Sequence, residues 1–311
     1  MKKVGIIGGS GYTGGELIRL VLHHPALALD FIYSTTRPGT PLHDTHVDLL
    51  GTEIPDFTDQ INPAVDVVFL CVGHGKSAGF LKENKFSEAT IIIDLSNDFR
   101  LKNDASFQGY NFVYGLPELQ RETIEKATAI ANPGCFATAI QLALLPLARK
   151  GMITNPVHIN ATTGSTGAGV GLSASSHFSW RNNNLSWYKP FTHQHLGEIG
   201  ETLDNPKLYF LPQRGDFTRG IFASCYTFFD GNLEDAKTIY KDFYKSHPFT
   251  HVSENEVALK QVINTNNCAI HLHQFEDQLL ITSVIDNLIK GASGQAIQNL
   301  NLIMGWEEDL G

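Results

Sequence analysis

The sequence predicts an α/β chain in two parts: a doubly wound parallel sheet, then an α+β region with a mixed or antiparallel sheet. Three observations carry that prediction. A strand of the buried kind, Val4–Ile7, opens the chain and runs into a glycine-rich turn and a helix. Apolar strands and helical stretches then alternate as far as Ala131, which is the rhythm of a parallel sheet. Shorter strands with period-two alternation return in the second half, and 311 residues exceed what one core comfortably supports.

Composition narrows the function classes. Hydrophobic residues at 42% and charged residues at 18% describe an ordinary globular chain. A net charge of −9 and the lack of any Lys/Arg block argue against a nucleic-acid surface. Cys71, Cys135, Cys225 and Cys268 are scattered without a CxxC pair, so neither a zinc knuckle nor a disulfide framework is indicated. Strand-like residues begin directly after Met1, and no apolar run is long enough to span a bilayer. The expectation is a cytoplasmic chain with no membrane partner.

The turn after the first strand reads Gly8, Gly9, Ser10, Gly11, Tyr12, Thr13, Gly14, and a helix follows over Glu16–Leu22. Gly9, Gly11 and Gly14 satisfy G-x-G-x-x-G in the strand–turn–helix setting that gives the motif meaning. Glycines admit a pyrophosphate close to the backbone, and its charge then sits at the helix N-terminus. A Rossmann-type nucleotide site over Gly8–Gly14 is therefore expected. The second strand, Leu27–Tyr33, decides between cofactors. An acid at its carboxyl end would hold a ribose diol, but Asp30 lies too early and the strand ends in Ser34, Thr36 and Arg37. Hydroxyls and a guanidinium suit a 2′-phosphate, so the expected cofactor is NADP(H). Val65–Val72 and Thr90–Leu95 are further strands. Their loops, carrying Gly73 and Arg100, belong at the sheet's carboxyl edge, where Arg100 is a candidate anion ligand or a structural ion-pair partner.

Thr128–Ala131 then meets a Pro-Gly bend, and Phe136, Ile140, Leu144 and Leu147 follow at helical spacing. Cys135 thus falls at the start of a helix. Unpaired N–H groups and the positive helix end favour a thiolate there, so Cys135 is a candidate nucleophile; a small buried Cys in a packed turn is the competing reading. A second glycine-rich turn, Gly164–Gly169, lacks a long helix after it and is expected to line a substrate pocket through Ser165 and Gly167. His193, His195 and Glu198 lie within one or two turns of each other. Their spacing is poor for a metal, whereas one imidazole aimed at the thiol and oriented by the carboxylate would serve acid–base chemistry. Leu208–Leu211, Ile221–Phe229, Val257–Ile263, Cys268–Gln274 and Leu279–Val284 read as strands of the second sheet, and Ser175–Pro190 carries no assignable role.

Taken together, these motifs resemble the N-acetyl-gamma-glutamyl-phosphate reductase family over nearly the whole chain. The matching pieces are Gly8–Gly14, Asp94–Leu101, Tyr114–Leu119, Asn132–Cys135, Gly164–Gly169, His193–Glu198, Arg219–Ile221 and Lys290–Ala296. The resemblance extends more loosely to aspartate-semialdehyde dehydrogenase. It implies an NADP-binding domain over 1–134, completed by a C-terminal helix within 291–311, and a catalytic and oligomerisation domain over 135–290. It implies reduction of an acyl phosphate through a Cys135 thioester, with His193 as acid/base, His195 and Glu198 in support, and Asn132 near the substrate. It also implies a homodimer or homotetramer. Val170, Gln213–Asp216 and Val72–Gly75 depart from the family pattern, so N-acetyl, N-succinyl and aspartyl substrates stay open, as does a silent dinucleotide sensor.

Overall fold

The structure, a computed structural model, describes residues 1–311. It divides into two compact units, Met1–Pro133 with Ala292–Gly311, and Gly134–Gly291.

The first unit is built on one sheet: β1 (Lys2–Ile7), β2 (Leu27–Tyr33), β3 (Phe57–Thr58), β4 (Val67–Leu70), β5 (Ile91–Asp94), β6 (Ser106–Phe107), β7 (Tyr110–Tyr114) and β8 (Ala129–Ala131). Their spatial order is 3-2-1-4-5-8-7-6, and only the β6–β7 pair is antiparallel. Helices α1 (Tyr12–His23), α2 (Ser77–Glu83) and α3 (Pro117–Ile124) connect the strands. The strands read as unbroken apolar runs because both faces are covered. Val67 and Phe69 enter one core cluster while Val68 and Leu70 enter another, as successive side chains of a strand must. The order reverses between β1 and β4, and their carboxyl ends form the crevice that ligands occupy in sheets of this kind.

The second unit holds α4 (Cys135–Arg149), β9 (Val157–Thr163), α5 (Phe178–Arg181), β10 (Ser186–Trp187), α6 (His195–Thr202), β11 (Leu208–Arg214), β12 (Ile221–Phe228), α7 (Leu233–Tyr244), β13 (Thr250–Ser253), β14 (Cys268–Phe275) and β15 (Gln278–Ile285). The seven strands form a mixed sheet ordered 10-11-9-12-15-14-13, with parallel pairs β11–β9 and β13–β14. Helix α4 packs on β9, β12 and β15 and against α6 and α7. Every residue from Phe136 to Leu147 is buried. Pro146 sits inside that helix and cannot donate to the Leu142 carbonyl. One hydroxyl of α7 supplies the replacement, Tyr244 Oη donating to Leu142 O, and Tyr240 Oη donates to the next carbonyl, Ala143 O, both at 2.5 Å.

One expectation fails here. Val257–Ile263 is not a strand: its only regular element is a 3-10 turn, Leu259–Gln261. Val257 and Val262 bury into a small cluster with Val284, and Asn264 at φ +63° ends any extension. The glycine-rich stretch near 291 has a regular conformation. It is one turn of π-helix, Ile289–Ser293, leading into α8 (Gly294–Ile303), whose residues Gly294–Leu302 are all buried.

Candidate active site

In the first unit the glycine-rich turn follows β1 directly. Gly8 adopts φ +85°, a left-handed conformation, and a Cβ there would lie 2.7 Å from the Cys71 carbonyl oxygen. The turn is therefore pressed against the chain leaving β4, at the switch point. A Cβ on Gly14 would meet Gly8 O and Gly9 Cα at 2.7 Å, so the third glycine lets α1 pack onto its own turn. Gly11 is the N-cap of α1; it offers no side-chain cap, and the first turn holds no acid. The orphan N–H donors of that turn, with open approach at Gly11, fit a pyrophosphate. His46 was missed in the sequence. Its Nε2 donates to the Gly9 carbonyl at 2.8 Å and fixes the turn from beneath. Burial holds His46 below the ordinary imidazole value, which keeps it neutral.

At the end of β2, Asp30 pairs with Lys3 at 3.2 Å and accepts from Asn62 at 2.8 Å, so it is committed within the strand. Ser34 Oγ lies 3.3 Å from Thr36 Oγ1, and Arg37 is exposed beside them. This donor set fits a 2′-phosphate rather than a ribose diol.

In the second unit Cys135 is the first residue of α4, after the N-cap Gly134. Glu198 reaches that helix start: the Gly134 N–H donates to its Oε2 at 3.0 Å. The other carboxylate oxygen stands 3.9 Å from His195 Nε2. The His195 N–H in turn donates to His193 Nδ1 at 3.2 Å, so a neutral His193 carries its proton on Nε2. Phe136 lies edge-on to both imidazoles, at 5.5 Å and 6.4 Å between centroids. All three polar groups are almost fully buried, at 4%, 5% and 3% exposure. Gln141 holds α6 in register by donating to Glu198 O at 3.1 Å and Thr202 Oγ1 at 2.9 Å.

Two glycines make room for this cluster. A Cβ on Gly134 would lie 2.4 Å from His195 Nε2 and 2.7 Å from Glu198 Oε1, and one on Gly291 would lie 2.8 Å from Cys135 Cβ. Gly291 is set by Asp286, whose carbonyl accepts its N–H at 2.9 Å. The Asp286 carboxylate is held by Arg219 at 3.0 and 3.2 Å and by the N–H groups of Asn264 and Leu288, each at 2.8 Å. Tyr188 completes the surround, its ring edge-on to His193 at 5.6 Å. Burial, and then the charge of a Cys135 thiolate, push its phenol up to about 12.

Comparisons with known proteins show the family. Residues 3–127 match the family model described as semialdehyde dehydrogenase, NAD binding domain, and 135–287 match semialdehyde dehydrogenase, dimerisation domain. An N-acetyl-gamma-glutamyl-phosphate reductase of Flavobacterium johnsoniae is 60% identical, covering 100% of this chain and 98% of the relative. The chain belongs to the N-acetyl-gamma-glutamyl-phosphate reductase family. Relatives of the same description from Christiangramia forsetii and Bacteroides thetaiotaomicron are 56% and 49% identical at the same coverage. Among solved structures, aspartate semialdehyde dehydrogenase II from Vibrio cholerae superposes with TM-score 0.75 at 14% identity, over 98% of this chain and 99% of that one. The Candida albicans aspartate semialdehyde dehydrogenase with NADP gives 0.71 at 16%, over 98% and 99%. These two share the fold.

In this member of the family the remaining expected residues fall in both units. Arg100 is buried and donates to the carbonyls of Asn132 at 2.8 Å and Leu95 at 3.0 Å. Asn132 is fully buried, donating to Ala292 O at 3.0 Å and accepting from Asn299 at 3.1 Å. Gly73 is exposed in the loop after β4. Ser165 and Gly167 lie in a 3-10 turn, where the Ser165 N–H donates to Phe217 O at 2.8 Å. No helix is long and apolar enough to cross a membrane.

Proposed function

We infer that this chain is an NADPH-dependent reductase of N-acetyl-gamma-glutamyl phosphate in arginine biosynthesis, yielding N-acetylglutamate semialdehyde and phosphate. The observation that carries this reading is full-length identity of 60% to a reductase of that description. The cluster around Cys135 supports it chemically. Cys135 acts as nucleophile in its thiolate form, favoured by the positive end of α4 and by the Nε2–H that His193 presents to the sulfur. Sγ attacks the acyl carbon and the carbon–oxygen bond to phosphate breaks. Phosphate leaves and takes its proton from water, and a thioester remains on Cys135. NADPH, when bound, supplies the hydride that reduces this thioester. The resulting alkoxide on Cys135 re-forms a carbonyl and the C–S bond breaks, which returns the thiolate beside the His193 Nε2–H. N–H groups at the start of α4 are suitably placed for the oxyanion of each tetrahedral species. His195 and Glu198 position the acid–base residue, since one carboxylate engages both the helix start and His195.

Gly8, Ser10, Gly11, Tyr12, Thr13 and Gly14 would hold the pyrophosphate, Ser34, Thr36 and Arg37 the 2′-phosphate, and Gly73 the adjoining loop edge. Arg100, Asn132, Ser165 and Gly167 are assigned to the substrate side. The first unit with its C-terminal helix is the nucleotide domain and the second the catalytic one. A homodimer through the second unit is proposed for the assembly and the cytoplasm for its location. The uncovered sheet face supports that assembly. It carries a groove of about 200 Å³ lined by His158, Phe191, Tyr209, Leu211 and Tyr226.

The test is a phosphate-dependent assay with N-acetylglutamate semialdehyde and NADP, following NADPH absorbance, repeated with the N-succinyl and aspartate semialdehydes. Turnover of the N-acetyl compound that vanishes without phosphate is expected. Preference for another semialdehyde would replace the substrate and keep the mechanism. Silence with all three while NADPH still binds would favour a dinucleotide sensor.

A further inference from the structure

Beside the thiol cluster, the second unit holds two arginines that form no ion pair. Arg181, in α5, is only 5% exposed. Its Nη1 donates to the Arg214 carbonyl at 2.6 Å and its Nη2 to Ser186 Oγ at 3.0 Å. Arg214 ends β11, and its guanidinium lies over the Tyr188 ring, 4.5 Å from the centroid. Tyr188 in turn abuts His193. Neither arginine forms an ion pair, and the Nε of each is buried without a hydrogen-bond partner. A charge-bearing donor withdrawn from water is costly unless an anion meets it. Burial, and then the charge of Arg214, hold Arg181 below the ordinary guanidinium value, the charge of Asp216 only partly opposing. Two like charges kept this close in a half-buried place are the form that an oxyanion-binding site takes.

We propose that Arg214, backed by Arg181 and stacked on Tyr188, forms an oxyanion subsite beside Cys135 that takes a charged group of the substrate. This assignment rests on the acyl-phosphate reading and deepens it. The oxyanion is either a carboxylate of the glutamyl substrate or its phosphoryl group, and both match a planar fork of donors. The same chain position explains why Gln213–Asp216 departs from the family pattern: a cation has been placed at the pocket wall.

The experiment reads ligand protection and kinetics separately. Iodoacetamide labelling of Cys135, followed by mass spectrometry, is measured with and without N-acetylglutamate or inorganic phosphate, in the wild type, Arg214→Gln and Arg214→Lys. Protection in the wild type that falls roughly 10- to 100-fold in Arg214→Gln is expected, as for loss of a charged hydrogen-bonded pair. Loss of protection by phosphate alone identifies the phosphoryl group; loss by N-acetylglutamate alone identifies a carboxylate. In the assay the matching KM, for phosphate or for semialdehyde, rises while kcat changes less than threefold. Arg214→Lys keeps the charge and loses the fork, so it retains part of the protection and controls for a fold defect. Unchanged protection and unchanged KM values in both variants would overturn the subsite, and a silent wild type with intact protection would overturn only the reaction.

Discussion

At the residue scale, the proposed function hangs on Cys135 and on the small neighbours that let it stand where it does. Cys135→Ser should abolish reduction while NADPH binding stays near normal, since the hydroxyl is a far weaker nucleophile at neutral pH. Turnover and NADPH titration measure the two halves of that statement, and appreciable turnover by the serine variant would remove the nucleophile assignment. Gly134→Ala is the subtler change. Its methyl would press on His195 and Glu198 at 2.4 and 2.7 Å. Displacement on this scale costs about 100-fold in kcat. An alanine variant with wild-type kcat would show that the cluster tolerates displacement. The glycines were legible in the sequence because a tight turn or close approach admits nothing else. Tyr188, Arg181 and His46 were not. They sit in segments without periodicity, and their meaning comes from neighbours distant in sequence, such as Gly9 for His46.

At the scale of single elements, α4 shows how a proline is accommodated in a buried helix. Tyr244 Oη takes the Leu142 carbonyl that Pro146 leaves unpaired. Tyr244→Phe should therefore cost about 1–3 kcal/mol, the range for a buried group left unsatisfied. Chemical denaturation measures it, and a loss below about 0.5 kcal/mol would mean that α4 relaxes to satisfy itself. Strand β5 ends in the fully buried Asp94, whose carboxylate accepts from Ser77 at 2.5 Å and from Ser96 at 2.7 Å. Burial nonetheless pushes it up to about 6, the hydrogen bonds only partly opposing. The folded state then holds this proton to higher pH than the unfolded chain, which releases it near 3.8. Between those values folding binds a proton, so this group's contribution to stability falls as pH rises from about 4 through about 6. Asp94→Asn should flatten the slope of Tm against pH in that window; an unaltered slope would assign it elsewhere. Element types were readable where both faces or one face of a strand are buried, as in β4 and β12. Val257–Ile263 misled because its apolar spacing serves a local cluster rather than a ladder.

At the scale of the whole molecule, the chain leaves the first unit at Pro133 and re-enters it at Ala292. The returning segment is deeply tied in. Ile297, Leu300 and Leu302 join the core cluster of Val4, Leu17 and Ile18. Gln298 donates to Glu308 at 2.6 Å, Arg121 pairs with Glu308 at 2.5 Å, and His24 bonds Asn301 at 3.1 Å. Those three apolar side chains alone bury about 5–9 kcal/mol of transfer free energy, comparable with the whole stability of a typical domain. A chain ended at Gly291 should lose NADPH binding and unfold at a lower temperature, read by ligand titration and a thermal scan. Unchanged behaviour in both would show the first unit closing without its last helix.

The re-entry also sets an order of events during synthesis. The 133 residues of the first stretch are made well before the last 20 that complete their core. At the usual elongation rate of about 5–20 residues per second, the intervening and final segments, 311 − 133 = 178 residues, take roughly 10–35 s. The first unit therefore waits on the ribosome with the part of its core that α8 closes still open, while the segment that follows it, Gly134–Gly291, is continuous and can close first. A nascent chain of this design completes the core of its oldest residues last.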